Sequence, residues 1–339
     1  MTIFLNILFL VIGMVLLIKG ADFFVSGASA VAKRLKVPSM FIGLTIVALG
    51  TSLPELSVSI TSAFSNSIDM SVGNIVGSNL FNMLLILGLV SLFKPIKLDK
   101  STSKIDLPFL IAITGCLMLF ALDTILDNST TSLLTRTESV ILIVLLCLYT
   151  YILIFNANRT RKRKIRQAIY LNKQNIIIEQ TETQERPLKA WQMIIFIVFG
   201  LGAVVFGGEC VSTTAKYLAI QIGMSEALVG LTIVALGTSL PELVTSVVAA
   251  KKGENDLALG NVIGSNIMNI SLILGSVGLI AQAPISTTIL TDIIILFACT
   301  IIFAICCLAK KKLGKGSGIV LISLYILYLT FAIVRNYCF

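Results

Sequence analysis

Residues Gly43 to Leu56 read GLTIVALGTSLPEL, and Gly230 to Leu243 read GLTIVALGTSLPEL again, letter for letter. The offset of 187 residues continues downstream without a gap, where GNIVGSNLFN at 73–82 matches GNVIGSNIMN at 260–269. It continues upstream as well, where Gly20-Ala21-Asp22 aligns with Gly207-Gly208-Glu209. Each copy sets a carboxylate, Glu55 or Glu242, in the middle of an otherwise apolar run. An ionisable side chain at membrane depth is costly enough to mark function by default. The duplicated charge is therefore what any reading of this chain has to explain.

That these runs lie in a membrane follows from composition. The chain has 339 residues, of which 56% are hydrophobic and 13% charged, and its mean hydropathy is +0.98. Soluble chains carry roughly 25% charged residues. Apolar runs of about 20 residues, enough to cross a bilayer as helix, recur along nearly the whole length. The pattern predicts an all-α polytopic membrane protein with ten spans, near 3–31, 38–64, 71–93, 105–122, 137–156, 191–218, 225–250, 257–280, 289–309 and 317–335.

The net charge of +9 is a topology signal and not a nucleic-acid footprint. The connections after odd-numbered spans hold Lys33, Arg34 and Lys36; Lys94, Lys97, Lys100 and Lys104; nine Lys and Arg between 159 and 189; Lys251 and Lys252; and Lys310, Lys311, Lys312 and Lys315. These make up 22 of the 26 basic residues. The positive-inside rule assigns those connections to the cytoplasm, which puts both termini outside. No Lys or Arg precedes Lys19, and the first stretch recurs near 207–217, so it is read as a span and not as a signal peptide. The chain has no histidine, and its seven cysteines show no metal-ligand spacing. A zinc site, a disulfide framework and a Ser-His-Asp triad all drop out, and no enzymatic activity is expected.

Within span 2, Pro54 has no amide proton, so the Gly50 carbonyl loses its helical partner. A helix interrupted in lipid is tolerable only where the freed backbone is buried in protein or lines a polar cavity. Thr51, Ser52 and Glu55 then share one turn with freed carbonyls, as do Thr238, Ser239 and Glu242 in span 7. Both are sets of hard oxygen donors. In span 3, Asn74, Ser78 and Asn82 recur at i, i+4 and i+8 and form a stripe on one helix face, which is expected to face span 2. Gly73 and Gly77 form a small-xxx-small pair that admits a close neighbour. Span 8 repeats the plan with Gly260, Asn261, Gly264, Ser265 and Asn269. Asp106 and Asp123 fall near span ends and read as solvated. For Asp22 and Glu209 the roles of ligand, gate and anchor all stay open.

Five spans per half is an odd number, so the second copy enters the membrane inverted. The expected architecture is ten transmembrane helices as two inverted five-helix repeats. Residues 1–156 form the first half, 157–190 a cytoplasmic linker loop, and 191–339 the second half. Inverted repeats with interrupted helices in matching positions point to a secondary transporter's binding site, where Glu55 and Glu242 meet. Two facing carboxylates repel unless a proton or cation lies between them. With oxygen donors alone the expected occupant is a hard cation. Calcium accepts 6–8 oxygens in flexible geometry, whereas magnesium holds to an octahedron and its waters.

The paired ALGTSLPEL and GNxxGSNxxN blocks resemble the α-repeats of the sodium/calcium exchanger family, within the cation/calcium antiporter superfamily. The resemblance covers both halves. It implies a multi-pass cell-membrane (inner-membrane) antiporter that extrudes Ca²⁺ using inward Na⁺, in which spans 1 and 6 slide to alternate access. It implies no cofactor, Ca²⁺ and Na⁺ as substrates, the bilayer as surroundings, and function as a monomer. Carried onto matching positions, Glu55 and Glu242 become the central Ca²⁺ ligands, shared with Na⁺. Oxygens of Thr51, Ser52, Thr238 and Ser239, with the backbone oxygens of Ala48 and Ala235, complete the sites. Ser78 and Ser265 line outer Na⁺ sites, and Asn82 and Asn269 the midplane. Many members carry Asp at one of these last two positions, and this chain has Asn at both, which bears on potassium co-transport. The alternative is a Ca²⁺/H⁺ or other divalent cation/proton antiporter of the same fold. Its frequent GNxxEH signature is absent here.

Overall fold

The computed structural model describes residues 3–65, 68–99, 101–122, 132–173, 188–223, 235–309 and 311–338. In lipid a backbone must satisfy its own hydrogen bonds, and helix dominates accordingly. The first helix, α1, is Ile3–Leu35. The next segment comes in pieces: α2 (Ser39–Ile42), a π-helical stretch Gly43–Val47, α3 (Ala48–Thr51) and α4 (Leu53–Phe64). Helix α5 (Ile68–Leu80) runs through a π-helical stretch Phe81–Ile86 into α6 (Leu87–Phe93). Another π-helical stretch, Thr102–Asp106, leads into α7 (Leu107–Phe120), and α8 is Arg136–Lys173. The second half holds α9 (Ala190–Gln221), α10 (Ala235–Gly237) and α11 (Leu240–Lys251). Then α12 (Asn255–Met268) passes through π-helical Asn269–Leu274 into α13 (Gly275–Ile280), followed by α14 (Thr287–Ala309) and α15 (Lys315–Cys338).

Among the described residues eight helical stretches are long and apolar enough to cross a membrane. A ninth arises when Ser39–Thr51 and Leu53–Phe64, bent by 46°, count as one. The expected span over 225–250 is described from Ala235 onward. Residues 224–234, which include Gly230 to Val234 of the second signature, lie outside the described residues, as does Asp123.

Within an 18-residue apolar window, 78% of Met70–Phe93 and 72% of Asn255–Ile280 is buried, against 22% for Ile3–Leu35 and Ala190–Gln221. Two central spans are thus wrapped by outer ones whose apolar side chains, such as Phe4, Ile12, Ile194 and Phe199, face outward. Helices α1 and α9 pack on each other through glycines. A Cβ at Gly20 would lie 2.9 Å from the Gly200 carbonyl oxygen, and one at Gly207 2.8 Å from that of Gly13. Small residues of this kind let two backbones approach where lipid offers no hydrophobic drive for association.

Two short antiparallel pairings tie the connections together. β1 (Ile96–Lys97) pairs with β4 (Lys312–Leu313), Ile96 opposite Leu313. β2 (Ser132–Leu134) pairs with β3 (Ala283–Ile285), Leu133 opposite Pro284. The lysine-rich connections after the third and ninth expected spans therefore lie side by side. Lys94 and Lys97 also line a cavity with Gly253 to Asp256, and Lys252 pairs with Asp22 at 2.8 Å. Basic connections from both halves gather at one end of the bundle.

Two expectations need correction. The segment after residue 156 is not loop at its start, because α8 runs on through the basic stretch to Lys173. Lys and Arg are good helix formers, which lets the helix continue through the basic stretch. Residues 174–187 lie outside the described residues. Asp106 is not solvated. It is buried, and the Tyr149 hydroxyl donates to its Oδ1 at 3.0 Å, while Phe109 stacks on Tyr149 with centroids 4.3 Å apart.

Candidate functional site

The site is built at the two helix breaks. Pro54 and Pro241 sit in the first turn of α4 and α11, where a missing N–H costs least. The N-cap residues two places before them, Ser52 (φ −84°, ψ 6°) and Ser239 (φ −92°, ψ 4°), leave helical geometry in the same way. Each glutamate follows within the first turn of the new helix, at its positive end, where a carboxylate is favoured.

The two breaks interlock. The Ser239 hydroxyl lies 3.0 Å from Glu55 Oε1 and 3.0 Å from Ser78 Oγ. At matching positions, the Ser52 hydroxyl lies 3.1 Å from Glu242 Oε1 and 3.0 Å from Ser265 Oγ. Ser265 reaches Glu242 Oε1 at 3.4 Å. One shell further out, Thr51 donates to Asn261 Oδ1 at 3.0 Å and Thr238 to Asn74 Oδ1 at 3.4 Å. Asn261 in turn donates to Ser246 at 2.9 Å. The contacts exchange partners between halves at positions 187 apart.

Every expected side chain of the set except Thr238 is buried: Thr51, Ser52, Glu55, Ser78, Asn82, Ser239, Glu242, Ser265 and Asn269. Thr238 is half-buried. The Ala48 carbonyl accepts the Ser52 N–H at 3.0 Å, which uses one of its two lone pairs. Ala235 opens α10. The expectation that the span 3 stripe faces span 2 needs amendment, since Asn74 and Ser78 bond to Thr238 and Ser239 of the other half.

The electrostatics are unusual for a buried core. Both glutamates are fully buried, and among the described residues no Lys or Arg pairs with either; the ion pairs there are Asp22–Lys252 and Asp292–Arg335. Oε2 of Glu55, Oε2 of Glu242, both ends of the Asn82 amide and Oδ1 of Asn269 are buried without a hydrogen-bond partner. Buried polar atoms are nearly always paired, so a concentration of orphaned oxygens at one place calls for a cation or a proton. No three His, Cys, Asp or Glu side chains cluster among the described residues. A cation here is held by two carboxylates and neutral oxygens. Asp22, paired with Lys252, and Glu209, exposed and bonded to Thr213 at 3.1 Å, stand apart.

Asn79 and Asn266, outside the expected ligand set, clasp the two central spans. Asn79 Nδ2 donates to the Asn266 carbonyl oxygen at 3.3 Å, and Asn266 Nδ2 to that of Asn79 at 3.2 Å. Their signal was present in the repeated GSN triplets at 77–79 and 264–266.

Comparison with known proteins bears on what this geometry serves. The family described as sodium/calcium exchanger protein matches residues 5–155 and 191–334. The sodium/calcium exchanger MaX1 of Methanosarcina acetivorans is 33% identical over 342 residues, covering 96% of this chain and 97% of that one. The inner membrane protein YrbG of Escherichia coli is 32% identical over 324 residues, covering 94% of each. Among solved structures, the sodium-calcium exchanger NCX_Mj soaked with zero Na⁺ and Ca²⁺ aligns with a TM-score of 0.80 at 27% identity, over 97% of this chain and 99% of that one. The match takes in both copies of the signature and both helix breaks, and the chain belongs to the sodium/calcium exchanger protein family.

Proposed function

We propose that this chain is a secondary active antiporter that moves Ca²⁺ out across the membrane in exchange for Na⁺ moving in. The observation that carries this reading is the pair of fully buried glutamates, each bonded to the serine of the opposite break and each keeping one orphaned oxygen. Two carboxylates neutralise one Ca²⁺, and the surrounding hydroxyl, amide and carbonyl oxygens bring its coordination into the 6–8 range. When Ca²⁺ leaves, the same two charges draw in Na⁺. Exchange follows because the bare carboxylates repel each other and the central site is costly to leave without a cation.

The ligand set we assign is Glu55 and Glu242 at the centre, with Thr51, Ser52, Thr238 and Ser239 and the backbone oxygens of Ala48 and Ala235 beside them. Ser78 and Ser265 lie outward, and Asn82 and Asn269 at the midplane. The arrangement is ten helices as two inverted five-helix repeats, residues 1–156 and 191–339, joined by 157–190 on the cytoplasmic side, with both termini outside. The exchange of partners at positions 187 apart supports this inversion, as does the gathering of lysine-rich connections at one end. Alternating access uses the seam between α1 and α9 and the rest of the bundle. The protein works as a monomer, without cofactor and without enzymatic turnover. With Asn at 82 and 269, the stripes add no third charge, which argues against potassium co-transport.

Competition calorimetry on the purified full chain tests the shared site. Ca²⁺ titrated at rising Na⁺ and fixed pH is expected to bind ever more weakly, with the midpoint set by Na⁺. Ca²⁺ affinity that ignores Na⁺ but follows pH would move the assignment to proton coupling.

A further inference from the structure

We propose that Asn79 is a positioning residue that compels Asn269 to present its carbonyl oxygen, and not its amide nitrogen, to the cation; this rests on the cation-binding reading above. A carboxamide has one accepting and one donating end, and only a hydrogen-bond network with a fixed anchor decides which end points where. Here the anchor is the backbone carbonyl oxygen of Asn266, which can only accept. Asn79 Nδ2 lies 3.3 Å from it and so faces it. Asn79 Oδ1 therefore faces the other way, where Asn269 Nδ2 donates to it at 3.1 Å. What remains of Asn269 is Oδ1, buried and without a hydrogen-bond partner. Turning either amide sets like against like in a site where Asn79 and Asn269 are both fully buried, an arrangement that burial penalises.

The network stops short at the matching position. Asn82 would be pinned by Asn266 Oδ1, yet neither end of the Asn82 amide has a hydrogen-bond partner, and neither does Asn266 Oδ1. The two midplane asparagines are thus equivalent in sequence and unequal in preparation. Asn269 is preset as an oxygen ligand and Asn82 is left free to turn. A carboxylate at 269 would need no pinning, since both of its ends are oxygen. Asn79 supplies by orientation what an aspartate supplies by chemistry.

The test is a double-mutant cycle read by Ca²⁺ calorimetry on purified full-length protein. Each variant's fold is checked by size exclusion and thermal unfolding. Asn79→Leu in the native background is expected to raise the Ca²⁺ Kd roughly 10- to 100-fold, the usual cost of losing a partner that orients a metal ligand. In the Asn269→Asp background the same substitution is expected to change Kd by no more than about twofold. An equal loss in both backgrounds would show that Asn79 only packs the spans together, and no loss in the native background would remove its role altogether. Asn79→Ala, which deletes the amide without overfilling the space, replaces the leucine in the cycle if that variant does not fold. Glu242→Gln separates the two levels. Its binding Ca²⁺ normally would sink the site itself, whereas its failing to bind while Asn79→Leu binds normally would sink the role of Asn79 alone.

Discussion

The Ser52 hydroxyl lies 3.1 Å from the Glu242 carboxylate, although 190 residues separate them in the chain. Its counterpart, Ser239 to Glu55, spans 3.0 Å. Each half therefore supplies the hydroxyl that steadies the other half's charge, and neither half makes a complete site alone. On the proposed ligand set, cation binding and the contact between halves become one event, which is what coupling requires: the ion must sense the arrangement of both halves.

Replacing either glutamate with glutamine keeps the volume and removes the charge. Glu55→Gln and Glu242→Gln are each expected to weaken Ca²⁺ binding about a hundredfold or more, since both carboxylates are buried and among the described residues no Lys or Arg pairs with either. Calorimetry on the folded variants checks this. Binding of native strength in either would show that the pair does not hold the ion.

Ser52→Ala and Ser239→Ala each remove a hydrogen bond to a charged group, worth about 1.5–3 kcal/mol, and should weaken Ca²⁺ binding by about tenfold or more. Because the two serines occupy matching places, their losses should agree within about threefold. A large loss in one and none in the other would mean that the two contacts are unequal when the ion is bound.

Gly260 faces span 2 so closely that a Cβ there would lie 2.7 Å from the Met40 carbonyl oxygen and 3.0 Å from the Gly43 Cα. Both neighbours are backbone and cannot swing aside. Gly260→Ala is expected to cost about 1–3 kcal/mol, seen as a lowered midpoint of thermal unfolding in detergent. An unchanged midpoint would show that the two spans part more easily than this packing implies.

The two ion pairs should respond differently to substitution. Asp292 and Arg335 are mostly buried, with side chains 13% and 18% exposed and two N···O contacts of 2.9 Å. Asp22 and Lys252 are 50% and 29% exposed. Arg335→Met strands a buried carboxylate and should cost about 3 kcal/mol or more, whereas Lys252→Met should cost less than about 1 kcal/mol. Unfolding midpoints of the two variants in the same detergent make the comparison.

Much of this was legible in the sequence because the decisive residues carry their own local reasons. Pro54 and Pro241 cannot sit in an unbroken helix without freeing a carbonyl, and a glutamate in an apolar run must find oxygen-rich company. Asp106 was misread because its environment is not local. Its position near a span end suggests water, and its burial is set by Tyr149, 43 residues away. The basic stretch after residue 156 shows no apolar period that would mark a span, so its helix was hidden in plain charge. The stripe on span 3 was visible, but its partners were not, since Thr238 lies 164 residues from Asn74. Asn79 was hardest to see, because the direction of its amide depends on a carbonyl of the opposite half.

On the proposed function, Na⁺ drives Ca²⁺ movement through the paired glutamates. The most direct measurement is ⁴⁵Ca²⁺ uptake into proteoliposomes loaded with Na⁺ and diluted into Na⁺-free buffer, with K⁺ and pH equal on both sides. Uptake that requires internal Na⁺ and disappears in Glu55→Gln is the predicted result. Uptake that ignores Na⁺ and follows an imposed pH gradient, or that persists in Glu55→Gln, would contradict it.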